Sequence, residues 1–233
     1  PSRYESTRFP GKPLIDLAGK TMIQRVYEGV SRSQLIDRVI VATDDQRIFS
    51  EVKSFGGEVM MTSIQHQTGT DRCIEIVNEL DQCDIAINIQ GDEPLVNAGQ
   101  IDQIVDAFAD SSVQIATLAS SNITKDEIEN FNRIKLVLDQ NDNALYFSRS
   151  AIPNTSKGDS LDIYMKHIGL YAFRKEALKR IEKMMPCGIE QAESLEQLRW
   201  MFYGEQIKVI RTTIETPNVD VPEDVEKVLS LLR

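Results

Sequence analysis

DRVIVATDDQRIFSEVKSFGGEVMMT (residues 37–62) sets the fold class. DRVIVAT (37–43) is a short, β-branched apolar run of the kind buried on both faces of a parallel sheet. QRIFSEVKSFGG follows as a helical stretch that stops at Gly56-Gly57, and EVMMT is a second short strand. A strand, a helix and a strand within 26 residues make one βαβ unit. The rhythm then continues outward. TDRCIEIVNEL places Cys73, Ile76, Val77 and Leu80 at helical spacing, and DIAINIQ (84–90) is another buried strand. A helix around 97–109 and the strand QIATLAS come next. Repeated βαβ units predict an α/β fold, with a three-layer, Rossmann-like, mostly parallel sheet.

The middle of the chain has a different rhythm. IKLVLDQNDNALYFSR is two strands about an Asp/Asn turn, NTSKGDS (154–160) is a polar loop, and KHIGLYAFR is a further strand. Residues 120–175 are therefore predicted to form a β-rich insertion with a mixed sheet, inside a single domain spanning 1–233. IEQAESLEQLRWMFYG then reads as one amphipathic helix, with Leu195, Leu198 and Phe202 on one face. QIKVIRTTIE is a strand, and VPEDVEKVLSLLR is a last helix with Pro222 in its first turn.

Bulk composition narrows the function classes. The 233 residues are 41% hydrophobic and 27% charged, as in ordinary globular proteins. No apolar run approaches the roughly 18 residues of a membrane span, and no signal peptide is visible. Three cysteines without a C-x-x-C pair point to a reducing, cytoplasmic setting, and away from a disulfide framework or structural zinc. A net charge of −10 argues against nucleic acid as a partner. It leaves room for a small anionic ligand wherever cations are gathered locally.

The opening PSRYESTRFPGKPL (1–14) is such a gathering, with Arg3, Arg8 and Lys12 around Gly11 and three prolines. Glycine permits close backbone approach, and each cation can meet a phosphate oxygen. Loops of this kind hang from the end of a central strand, so several apolar residues are expected before Pro1. NIQGDEPL (88–95) runs an apolar strand into two carboxylates at the sheet edge where α/β ligands bind, a fitting place for Mg²⁺ against phosphates. NVDVPEDVEKV (218–228) taken by itself reads as an acidic helix start, and HQTGTDR (66–72) as a turn into a helix. His66 and His167 are the only histidines, and no G-x-S-x-G elbow is present. ESLEQLR (193–199) pairs Glu193 with Gln197 and Glu196 with Arg199 on what reads as a solvated helix face.

Taken in order, SRYESTRFPGKPL, VATDD, GGEVMMT, HQTGTDR, NIQGDEP, LYFSR, KHIGLYAFR, LEQLRWMFYGE and VDVPEDVEKV are specific in combination. The chain resembles the 3-deoxy-manno-octulosonate (Kdo) cytidylyltransferases, the CMP-Kdo synthetases of lipopolysaccharide assembly, from residue 1 to 233. The resemblance implies a nucleotidyltransferase sheet that couples CTP to Kdo with Mg²⁺ and releases pyrophosphate. It implies that Arg3, Arg8 and Lys12 hold the triphosphate, and that Thr70 and Arg72 help hold the cytidine. It makes Asp92 and Asp220 the Mg²⁺ ligands, with Arg8, Lys12, Asp92 and Asp220 carrying the catalysis. Gln90, Arg149, His167, Tyr171, Glu196 and Gln197 are the implied contacts of the sugar acid. A homodimer formed through the 120–175 region is also implied.

Ser2 and Glu5 stand where the family commonly has alanine. The glutamate is expected to turn away from the phosphates. AGKTM stands for the usual GKPM. Neighbouring readings are a CMP-sialate synthetase, a cytidylyltransferase for an amino-modified Kdo, and a non-catalytic nucleotide-binding module.

Overall fold

The computed structural model describes residues 1–5, 9–154, 163–214 and 216–232. Most of the polar loop predicted at 154–160 lies outside them. In chain order the first elements are α1 (Met22–Val30), β1 (Val41–Thr43), α2 (Gln46–Ser54), β2 (Val59–Met61), α3 (Gly69–Glu79), β3 (Ile85–Asn88) and α4 (Ala98–Asp106). Next come β4 (Ile115–Ser120), α5 (Lys125–Glu129), β5 (Lys135–Leu138), β6 (Ala144–Ser148) and β7 (Met165–Arg174). The last are α6 (Lys175–Ile181), α7 (Gly188–Glu193), α8 (Gln197–Phe202), β8 (Ile207–Arg211) and α9 (Asp224–Leu231). The chain divides into two compact units, residues 1–103 with 215–233, and residues 104–214.

In the first unit the predicted βαβ crossover is present. β1 and β2 pair in parallel, Val41 opposite Val59. Asp45 starts α2 by accepting from the Arg47 N–H at 2.8 Å, filling one of the orphan donors of a helix N-terminus. Ile48 and Val52, one turn apart on α2, are fully buried against Val41, Val59 and Ile23. Each such side chain contributes about 1.5–3 kcal/mol through burial. A second cluster joins Leu17 and Met22 to Val219 and Val228, so the segment leading into α9 is pinned to the region after the opening loop.

The strands of the second unit lie in the order β6-β5-β7-β4-β8. β4 and β8 are parallel, while β4–β7, β5–β7 and β5–β6 are antiparallel. The Asp/Asn hairpin is as read. Asp139 Oδ1 accepts from the N–H groups of Asn141 and Asn143, both at 2.8 Å, and Asp142 takes the left-handed conformation at φ 56°. All six residues of β4 are buried. A bulge interrupts its pairing with β7, since Thr117 faces Tyr171 while Leu118 faces Ile168. Bulges re-aim side chains, and this one turns Thr117 toward His167.

One element departs from the sequence reading. The helix predicted over 189–204 is two helices, α7 and α8, broken at Ser194, which is left-handed at φ 50°. The physical reason lies outside the helix. Arg149 takes the carbonyls of Glu193 and Ser194 for its guanidinium, so these do not continue a helical ladder. Among the described residues no helix is long and apolar enough to cross a membrane.

Candidate active site

The opening loop starts beside the sheet. Ser2 N–H donates to the Ala42 carbonyl at 2.8 Å and Ser2 bridges Thr43 in parallel, while the Gly91 N–H donates to the Pro1 carbonyl at 3.1 Å. A Cβ on Gly91 would sit 2.9 Å from Ser2 Oγ, so only glycine lets the QGDEP turn approach this closely. Gly11 turns the loop back. It is left-handed at φ 73°, its N–H donates to the Tyr4 carbonyl at 2.9 Å, and a Cβ there would meet the Tyr4 ring at 3.1 Å. Arg47 stacks on the other side of that loop, 3.2 Å from the Tyr4 ring centre, and lies 3.9 Å from Glu5.

The turn after Gly11 sends Lys12 inward. Its ammonium donates to Asp92 Oδ2 at 2.6 Å and to the Val219 carbonyl at 2.8 Å. The Val219 N–H in turn donates to the Asp92 carbonyl at 3.0 Å. Three segments far apart in sequence therefore meet, bringing Lys12, Asp92 and the stretch that carries Asp220 together. Asp224, the first residue of α9, reaches back out of the helix: its Oδ2 accepts from the N–H groups of Asp220 at 2.9 Å and Val221 at 3.0 Å. Asp220 is not the cap; its Oδ2 accepts from Asn218 Nδ2 at 2.9 Å. Two carboxylates on backbones locked side by side offer oxygen ligands only, and a site of two carboxylates completed by phosphate oxygens suits Mg²⁺.

The two acids of QGDEP have different characters. Asp92 is partly exposed and paired with Lys12, whereas Glu93 is buried. Burial, then the neighbouring Asp92 charge, pushes the Glu93 carboxyl up to about 8, so it is largely protonated at neutral pH. The sequence pattern shows two acids and cannot show this division.

HQTGTDR caps α3. Thr68 Oγ1 accepts from the Asp71 N–H at 3.1 Å, and Asp71 Oδ2 accepts from the Thr68 N–H at 3.0 Å, a capping box. The box turns Thr70 and Arg72 into the unit, where both are about 1% exposed. Asn88 Nδ2 donates to Thr70 Oγ1 at 3.3 Å. Arg72 donates to Thr62 Oγ1 at 2.6 Å and the Ser63 carbonyl at 3.2 Å, and forms an ion pair with Asp44. It thus ties together the ends of β1 and β2. His66 pairs with Glu75. Arg3 is exposed, and Arg8 lies outside the described residues.

In the second unit, His167 and Tyr171 project from β7 with ring centres 5.2 Å apart, among Phe147, Phe173 and Trp200. Thr117 Oγ1 lies 2.9 Å from His167 Nε2 and 2.8 Å from the Leu170 carbonyl. The hydroxyl has one proton, which goes to that carbonyl, so His167 Nε2 must donate and the imidazole is the Nε2–H tautomer. Burial pushes His167 down to about 3, keeping the ring neutral. The buried Tyr171 hydroxyl has no well-formed hydrogen bond among the described residues, although Thr117 lies beside it. Its pKa is raised by burial and then by the charge of Glu196, which begins α8. A buried hydroxyl of this kind, beside a neutral imidazole and a carboxylate, is a polar group that a ligand or an ordered water can satisfy.

Gln197 is buried in the first turn of α8. Among the described residues Arg149 makes three side-chain hydrogen bonds, all to backbone carbonyls, of Glu193, Phe131 and Ser194. Gln90 belongs to the first unit, and the other residues implied for the sugar acid to the second. The solvated face predicted at 193–199 does not form as read. Arg199 grips Glu190, with its Nη2 at 2.5 Å from Oε1, and Glu193 turns to Ser148 and Arg149.

The model of the cytidylyltransferase family matches residues 1–209. A 3-deoxy-manno-octulosonate cytidylyltransferase of Parabacteroides distasonis is 50% identical over 242 residues, spanning 100% of this chain and 96% of the relative. One of Bacteroides thetaiotaomicron is 49% identical over 243 residues, with the same coverage. The chain belongs to the 3-deoxy-manno-octulosonate cytidylyltransferase family. A solved CMP:2-keto-3-deoxy-manno-octonic acid synthetase in complex with CTP is 40% identical, with a TM-score of 0.93 over 99% of this chain and 95% of that one. The α/β nucleotidyltransferase fold read from the sequence is thus the fold of this family. A 4-diphosphocytidyl-2C-methyl-D-erythritol synthase of Anaerococcus prevotii, 15% identical, shares the fold at a TM-score of 0.65 over 94% of this chain and 92% of its own.

Within this family the segments that meet at Lys12 include both stretches implied to bind metal. Asn88, beside these segments in sequence, was not singled out by the sequence reading. It is 2% exposed, tied to Thr70, and its Oδ1 has no hydrogen-bond partner among the described residues. Its place in N-x-Q-G-D-E-P was the available signal.

Proposed function

We propose that this family member transfers CMP from CTP to Kdo, giving CMP-Kdo and pyrophosphate for lipopolysaccharide assembly in the cytoplasm. The observation that carries the reading is the junction of Lys12, Asp92 and the Val219-Asp220 segment. It brings a cation, the Asp92 carboxylate and the backbone segment that carries Asp220 together, the residue types that a metal-assisted attack on a nucleoside triphosphate requires.

In the reaction the anomeric hydroxyl of Kdo forms a bond to the α-phosphorus of CTP while the bond to the pyrophosphate oxygen breaks. The hydroxyl proton passes to solvent. Asp92 and Asp220 are the residues that would hold Mg²⁺, and their oxygen donors fit it. When bound, Mg²⁺ neutralises triphosphate charge and polarises the α-phosphate. Lys12, with Arg3 and Arg8, stabilises the charge that develops on the departing pyrophosphate. Thr70 and Arg72 shape the cytidine side, Arg72 by holding the ends of β1 and β2 together. Arg149, His167, Tyr171, Glu196 and Gln197 receive the sugar acid. The unpartnered Tyr171 hydroxyl supports this assignment. The protein positions charge and provides no nucleophile of its own.

A homodimer through the 120–175 region accompanies this reading. Leu145 on the edge strand β6 is 58% exposed and Phe131 67%, as suits a surface that pairs with a second copy. Sedimentation of the intact chain as a monomer at micromolar concentration would remove that part.

The decisive assay is pyrophosphate release with CTP against the other nucleoside triphosphates, using Kdo, amino-modified Kdo and sialic acid as acceptors. The highest kcat/KM is expected for CTP with Kdo. Asp92→Ala and Asp220→Ala should each abolish turnover with an unchanged circular dichroism spectrum. Near-normal turnover in either would overturn the metal assignment.

A further inference from the structure

Glu193 ends α7, where the sequence pattern shows only a charged helix position. Its carboxylate closes on the end of β6, with Oε1 accepting from the Ser148 hydroxyl at 2.7 Å and Oε2 from the Arg149 N–H at 2.9 Å. Lys135 holds the other backbone group of the same residue. Its buried ammonium donates to the Arg149 carbonyl at 2.5 Å, and to the carbonyls of Asn130 at 2.9 Å and Arg133 at 2.6 Å. The N–H and C=O of Arg149 are therefore each gripped by a side chain of opposite polarity. Its guanidinium is aimed by three carbonyls, those of Glu193 at 2.7 Å, Phe131 at 3.1 Å and Ser194 at 3.2 Å.

The kind of partner matters as much as the number. The two carboxylate oxygens of Glu193 are turned onto Ser148 and the Arg149 amide, not onto the guanidinium. Carbonyl dipoles orient the guanidinium without cancelling its charge. A guanidinium has five N–H donors. Three are engaged, and one N–H on each terminal nitrogen has no partner among the described residues. A cation built this way is fixed in direction and still available to an anion, the geometry that suits a carboxylate.

We propose that Glu193 is a positioning residue for the acceptor substrate: together with Lys135 it fixes Arg149 so that the guanidinium meets the carboxylate of the sugar acid. The inference rests on the reading of Arg149 as an acceptor-binding residue. Loss of Glu193 frees the end of β6 and the α7–α8 break to shift, which misplaces Arg149 without touching the nucleotide side.

The test is steady-state pyrophosphate release by the full chain, with Kdo and with its methyl ester as acceptors, for Arg149→Ala, Glu193→Gln and the double variant. Glu193→Gln should raise KM for Kdo roughly ten- to a hundred-fold, as expected for losing charge-assisted hydrogen bonds. It should leave KM for CTP unchanged, reduce the preference for acid over ester, and add nothing in the Arg149→Ala background. Ser148→Ala, which loosens the carboxylate without removing it, should raise KM for Kdo less and in the same selective way. This variant decides the matter if Glu193→Gln does not fold. If Arg149→Ala leaves KM for Kdo and the acid preference unchanged, the acceptor reading itself fails. If Arg149→Ala changes both while Glu193→Gln and Ser148→Ala do not, or weaken CTP equally, the positioning role fails and the acceptor reading stands.

Discussion

Glu93→Gln gives the sharpest quantitative expectation. In the folded chain burial and Asp92 hold the Glu93 carboxyl near 8, against an unfolded value of 4.5. A group with a raised folded pKa gives its full stability below the unfolded value and loses it as pH rises through the folded value. Between pH 4.5 and 8 the parent should therefore lose stability at about 1.4 kcal/mol per pH unit through this one residue. The 3.5 units between the two values amount to about 5 kcal/mol, a large part of the 5–15 kcal/mol of a typical domain. Glutamine keeps the shape and cannot ionise. The assay is urea unfolding of parent and variant from pH 5 to 9, without divalent cations, plotted as the difference in free energy. Other carboxylates and histidines cancel in that difference. The amide adds an offset that does not vary with pH, so the slope is the quantity to read. A difference that stays flat from pH 5 to 8 would show that Glu93 ionises freely and would refute the division of labour between Asp92 and Glu93.

Three further outcomes follow from the same geometry. Lys12→Met should lower kcat/KM for CTP by an amount equivalent to about 2.7–4 kcal/mol of transition-state stabilisation, and an unchanged value would remove Lys12 from the site. Gly11→Ala meets both a left-handed backbone and the Tyr4 ring, so it should destabilise the chain by about 1–2 kcal/mol in thermal unfolding and raise KM for CTP. Parental stability would show that the loop tolerates another turn. His167 is held neutral by burial, its folded value below the unfolded one, so its contribution to stability is full above pH 6.5 and is lost progressively as pH falls from 6.5 to about 3. The pH profiles of kcat/KM for parent and His167→Asn should accordingly differ by a constant factor from pH 5 to 8, and a step near 6.5 present only in the parent would contradict the neutral imidazole.

The parts of the molecule visible in its sequence are those governed by local pattern. The βαβ unit at 37–62 was legible because short apolar runs and a helix stop at glycine are properties of neighbouring residues. The β5–β6 hairpin was legible for the same reason, since Asp139 organises its own turn. Asp220 gave no such signal. Its acidic surroundings fit a helix start, and only the pairing of Val219 with Asp92 and the reach of Asp224 back to the Asp220 N–H separate it from one. The break at Ser194 was invisible because its cause, Arg149, lies 45 residues away. Glu193 was misread on the same account: its partners sit on a strand that helical periodicity cannot see. Long-range hydrogen bonds from charged side chains to backbone carry no local signature.

The grip on Arg149 also bears on how fast an acceptor arrives. Arg149 is the partly exposed cation of a hydrogen-bonded group with Glu193 and the buried Lys135, so positive charge is presented locally by its guanidinium. The chain around it carries −10. A negatively charged sugar acid is repelled by the molecule at long range and drawn in only within roughly a Debye length of this group, about 8 Å at physiological ionic strength. The encounter rate for the acceptor should then rise with added salt at low ionic strength, as the long-range repulsion is screened first, the reverse of the behaviour of a uniformly cationic binding face.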